Sequence, residues 1–123
     1  MAGLPAGPTH RGARGGTGYG TVKLSGTGVS EGLRMAKLAH DAGVAAHVGF
    51  MGETSLGAMA ALQLASALPG REQNLPAETS FFLTFPSEYV AERVQVEDGK
   101  VHLPDTPGLA RWVDWERIEA LRP

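Results

Sequence analysis

The feature that most limits what this chain can become is the run "VKLSGTGVSEGLRMAKLAHDAGVAAHVGFMGE", residues 22–53. It carries a strand signal, a glycine turn, a helical spacing and a second strand signal, and it ends on an acid. Tyr19–Leu24 is a short run with Val22 and Leu24 on one face, which reads as a buried strand. Gly26 and Gly28 break it. Ser30 stands at an N-cap position, with Glu31 in the first turn. Leu33, Ala36, Leu38 and Ala39 follow at helical spacing, Lys37 and Asp41 make the wet side, and Gly43 ends the helix. Val44–Phe50 is nearly all small and apolar, the pattern of a parallel strand covered on both faces. Strand, helix, strand in this order implies a right-handed parallel crossover.

The pattern continues. Thr54–Leu68 predicts a second helix, with a stripe of Leu56, Ala60, Leu64 and Leu68, stopped by Pro69 and Gly70. Thr79–Phe85 is a third strand candidate. "RVQVEDGKVHLP" predicts a hairpin turning at Asp98-Gly99. Asp114 caps a closing helix from Trp115 to Leu121. Residues 1–18, rich in glycine and proline, read as a flexible leader, which leaves 19–123 as the folded part.

Composition narrows the function classes. At 123 residues there is room for one small domain. The net charge of -2 and the scattered basic residues argue against a nucleic-acid surface. No cysteine is present, so disulfide scaffolds and thiolate zinc sites are excluded and a cytoplasmic setting is compatible. No apolar run approaches the roughly 20 residues that cross a bilayer.

Two chemical readings of the opening run compete. A glycine turn before a helix can hold a phosphate, which would make a small stand-alone nucleotide- or ligand-binding α/β domain. Glu31, however, occupies the place of the third glycine of the dinucleotide fingerprint, and "HVGF" supplies no ribose-binding acid. The other reading puts the chemistry at the carboxyl ends of the strands, where βα folds collect functional groups. Lys23 ends the first strand and Glu53 follows the second. In an apolar pocket a lysine can serve as a base, and a neighbouring glutamate can orient it or act as an acid. Taken singly, each is a solvated charge at a strand end; the pair on adjacent strands is the stronger signal.

Three segments, in order, carry a resemblance: "TVKLSGTGV", "GFMGETS" with the following helix to "LASALP", and "VEDGKVHLPDTPGLARWVD". Together they resemble the later barrel strands of the enolase superfamily, in its muconate-lactonizing and mandelate-racemase group, over residues 19–118. The resemblance implies an α/β fold: a partial (β/α)8 barrel, about the last three βα units, with a C-terminal hairpin and short helix. It implies Mg²⁺-assisted proton abstraction next to the carboxylate of a small substrate, as in racemases, epimerases, cycloisomerases and dehydratases. Lys23 then matches the sixth-strand base or acid, as in the muconate-lactonizing branch. Glu53 matches the seventh-strand acid, and Met51, Thr54 and Ser55 belong to the same segment as substrate-binding residues. The acidic strands that hold the metal in that group have no counterpart here. The expectation is a C-terminal piece that is inactive alone and prone to self-association through open strand edges.

The remaining aromatic and sulfur residues read as packing. Trp112 and Trp115 are expected to pin the tail, Met51 and Met59 to fill the core, and Phe81, Phe82 and Phe85 to line a strand, since no basic residues interleave them.

Overall fold

A computed structural model describes residues 19–70, 75–85, 89–105 and 107–122. The leader expected over 1–18 lies outside the described residues. Strand β1 spans Tyr19–Lys23 and β2 spans Ala45–Gly49. They pair in parallel, from Tyr19 opposite Ala45 to Lys23 opposite Gly49. Residues one apart on a strand face opposite ways. Val22 and Val48 are therefore buried on the helix side, while Tyr19, Thr21 and Lys23 are exposed on the other. Cover on both faces of β2 is only partly realised. Ala46, Val48 and Gly49 are buried, whereas Ala45 and His47 are half-buried. The segment at 76–78 supplies part of that cover, since Glu78 N–H donates to the Val48 carbonyl (2.8 Å) and His47 Nδ1 meets the Pro76 carbonyl at 3.0 Å.

Helix α1 runs from Leu24 to Asp41 with a break at Gly28, whose φ of 70° and ψ of 178° are not helical. A positive φ of this kind suits glycine. The chain thus makes one helical turn at once after Lys23, tied by Thr27 Oγ1 donating to the Lys23 carbonyl (3.1 Å), and then restarts. Ser30 lies inside the restarted helix rather than capping it, because Gly28 already supplies the non-helical residue at its start. The other end is as expected. Gly43 N–H donates to His40 O (2.9 Å) and Val44 N–H to Ala39 O (2.8 Å), the paired closure of a Schellman motif. The buried face is Gly32 and Ala36, with Leu33 and Ala39 half-buried; Leu38 points to solvent against expectation. On the wet side Arg34 holds the Glu31 carboxylate below its usual range through a hydrogen bond.

Helix α2, Ser55–Ala67, is apolar nearly all round because it faces two cores. Toward the sheet, Ala61, Leu64 and Leu68 join Val22, Ala36, Ala46 and Val48. Toward the C-terminal segments, Ala58 and Met59 join Phe82 and Val94, with Val101, Leu103, Leu109 and Trp112 packed around them. Of the expected stripe, Leu64 and Leu68 are buried while Leu56 and Ala60 are half-buried.

The third strand does not form. Phe81–Thr84 is a 3₁₀ turn, and Ser80 before it is already right-handed helical. The turn still sinks Phe82 into the second core and leaves Phe81 and Leu83 exposed, and Phe81 stacks on Phe50, with ring centroids 5.8 Å apart and planes at 26°.

The Asp98-Gly99 turn is made, with φ of 49° and 71°. Its arms stay short: among the described residues of the turn, Glu97 and Lys100 alone bridge. The sequence gives no sign of the antiparallel bridge between Val90 and Val113, flanked by Ala91 N–H to Trp112 O and Asp114 N–H to Tyr89 O, both 2.9 Å. Asp114 caps helix α3, Trp115–Glu119, accepting from Arg117 N–H at 3.0 Å. Trp112 is half-buried and packs as expected, but Trp115 is exposed.

Candidate active site

Strand parity puts Lys23 on the face away from the helices, directly across from Gly49. A β-carbon at position 49 would lie 2.8 Å from Thr21 Cγ2 and 3.4 Å from Lys23 Cε. The missing side chain is what lets the lysine stem cross over β2. Gly49→Ala is therefore expected to push Thr21 and Lys23 aside, at about 1–3 kcal/mol as an overpacked site. Urea unfolding of the single and double variants checks this, since Thr21→Ser, which removes the clashing methyl, should recover most of the loss.

Beyond Gly49 the chain turns back in a loop at 50–54. Lys23 Nζ lies 3.6 Å from Met51 Sδ. The Met51 N–H donates to Glu53 Oε2 at 2.8 Å. Lys23 and Glu53 form no direct ion pair; Met51 joins them, with its sulfur on one and its amide on the other. The glutamate stem rests on the first turn of α2, where a β-carbon on Gly57 would come within 2.8 Å of Glu53 Cβ. Glu53 Oε1 is buried with no hydrogen-bond partner among the described residues. A buried acceptor in that state gains when a donor reaches it. Together the groups offer an ammonium that can give a proton and a fixed carboxylate that can accept a hydrogen bond, set at neighbouring strand ends.

Not every expected site residue joins them. Met51, expected also to fill the core, is exposed and touches Lys23. Thr54 is half-buried and precedes α2, its carbonyl accepting from Ala58 N–H (2.8 Å). Ser55 is fully buried, so its hydroxyl does not share the surface of Lys23 and Met51. No apolar pocket encloses Lys23, which is exposed among the described residues. Phe50 and Phe81, which the sequence marks only as strand residues, also border the loop. Phe81 lies 3.4 Å from where a Gly52 β-carbon would be and meets Phe85 edge-on at 5.6 Å, walling the loop from the outside.

The glycine turn makes no visible cradle for phosphate. Thr27 Oγ1 is engaged with the Lys23 and Gly28 carbonyls, and Glu31 is paired with Arg34.

A family model described as enolase C-terminal domain-like matches residues 13–117. The chain belongs to that family. It is 35% identical over 86 residues to muconate cycloisomerase 1 of Pseudomonas putida, an overlap of 70% of this chain and 22% of that protein. The fold matches the muconate lactonizing enzyme from Klebsiella pneumoniae with a TM-score of 0.71 and 29% identity, over 81% of this chain and 28% of that one. It also matches muconate cycloisomerase from Pseudomonas fluorescens, with a TM-score of 0.73 and 25% identity, over 84% of this chain and 28% of that one. The chain thus spans less than a third of the length of these relatives, and its parallel pair with helices corresponds to part of the enolase-family barrel.

Enolase-superfamily enzymes use Mg²⁺, an ion that needs near-octahedral oxygen coordination. Among the described residues no three acidic or histidine groups converge on one point. Glu53 alone does not make such a site, so the groups described here do not fit the ion. Among the same residues no helix is long and apolar enough to cross a membrane.

Proposed function

We propose that this chain carries the lysine and glutamate part of a muconate-cycloisomerase-type site acting on a small carboxylate substrate. The observation that carries the reading is the Lys23–Met51–Glu53 linkage at adjacent strand ends. In this reading Lys23 holds or moves the proton at the carbon next to the substrate carboxylate. Its ammonium also attracts the anion to the exposed strand ends. Glu53, fixed by the Met51 amide, offers Oε1 to a substrate donor or to the lysine. Turnover requires the rest of a barrel, because the groups described here hold no Mg²⁺ site. A cytoplasmic setting, compatible with a chain free of cysteine, belongs to the same proposal.

The test is a titration of the whole chain with muconate, followed by amide and side-chain NMR shifts. Shifts should concentrate at Lys23 and at 51–54. Shifts confined to the glycine turn at 26–28, or none near Lys23, would reject the assignment. No muconate should be consumed by the chain alone, with or without added Mg²⁺.

A further inference from the structure

The methionine between the two proposed catalytic groups is itself a reactive group that the reaction leaves unused. Met51 is 62% exposed, against 40% for Met35 and 2% for Met59. Its thioether sulfur is in contact with the Lys23 ammonium, and its backbone is anchored by Glu53. The lysine stem crosses Gly49 beside Thr21, which directs Nζ at that sulfur.

We propose that Met51 is a site of reversible oxidation that captures Lys23. The oxidant is a peroxide. A sulfur lone pair attacks one oxygen of hydrogen peroxide, the S–O bond forms and the O–O bond breaks. Sulfur loses two electrons, and the departing hydroxide takes the proton of the new S–OH group to leave as water, which leaves the sulfoxide. Thiol-dependent sulfoxide reductases reverse this chemistry. Before oxidation the lysine faces a thioether, a weak acceptor. Afterwards it faces a polar sulfoxide oxygen within reach of the same ammonium, and hydrogen bonds from charged donors to such acceptors are the strong ones. The lysine is then held away from any substrate. The capture follows from the contact itself; only its effect on proton transfer rests on the function proposed above.

The experiment uses the whole chain and hydrogen peroxide, with peptide mapping by mass spectrometry and limited acetylation of lysines. Met51 should oxidise at least as fast as Met35 and well before Met59. Acetylation of Lys23 should then fall about fivefold, the size of one added hydrogen bond of roughly 1 kcal/mol. Lys37 and Lys100 serve as internal controls and should not change. Met51→Leu should abolish the effect, and sulfoxide reductase should restore the Lys23 rate in the unsubstituted chain. Unchanged Lys23 acetylation in Met51-oxidised chain would overturn the proposal, as would an equal fall in Met51→Leu. The proposed function fails separately, through the muconate titration of unoxidised chain.

Discussion

Lys23→Ala is expected to reduce muconate turnover by about 10²–10⁴-fold, the range for losing a positioned acid–base group. The measurement supplies the rest of a barrel in trans, from a muconate cycloisomerase polypeptide lacking the matching segment. Lys23→Arg should not restore the rate. A guanidinium keeps its proton throughout the working pH range, so it can hold an anion but not exchange a proton. The two substitutions thus separate charge from proton transfer. If Lys23→Arg retains most of the activity, the lysine is an electrostatic anchor. A loss under about tenfold for Lys23→Ala, well below the usual contribution of such a group, would remove it from the chemistry.

Leu64→Ala should have the largest effect on folding. Leu64 is 1% exposed and sits where α1, α2 and β1 converge. One of its methyls lies 3.1 Å from where a Gly32 β-carbon would be, and Val22 Cγ1 lies 3.0 Å from the same point. Leucine-to-alanine changes at such sites cost about 2–5 kcal/mol, and more where the walls cannot collapse. Here the approach is already as close as a glycine allows, which limits collapse. A chain of this length has roughly 5–15 kcal/mol in total, so much of the stability goes. Urea unfolding should show it, with Leu38→Ala at the exposed face of α1 as the control, expected within about 0.5 kcal/mol of the parent. Equal midpoints for the two variants would contradict the burial of Leu64.

How much of this was legible in sequence depends on the range of the signal. The parallel pair was legible because alternation within β1 and the small apolar run of β2 are local. From strand parity alone Lys23 had to face away from Val22. Gly43, Asp98-Gly99 and Asp114 were legible because a turn or cap is decided within a few residues. Phe82 was not: a short apolar run does not tell a strand from a helical turn, and what decides is Met59 and Val94, distant in sequence. The Val90–Val113 bridge is likewise a long-range pairing. Ser30 misled because a good capping residue stood two positions after a glycine with a positive φ. At the site, the positions of Lys23 and Glu53 were readable, but the contact through Met51 was not, since a methionine after a strand looks like core.

The two faces of α2 set how disturbance spreads through this chain. Ala61, Leu64 and Leu68 belong to the sheet, while Ala58 and Met59 belong to the C-terminal segments. The helix also begins immediately after the loop that carries Met51 and Glu53. A shift in how the tail packs on Met59 therefore moves the same rigid body whose first turn props the Glu53 stem through Gly57. Met59 sits between that first turn and the sheet-facing residues Ala61, Leu64 and Leu68, so the tail bears on the end of the helix that carries the loop, while the sheet holds the other end.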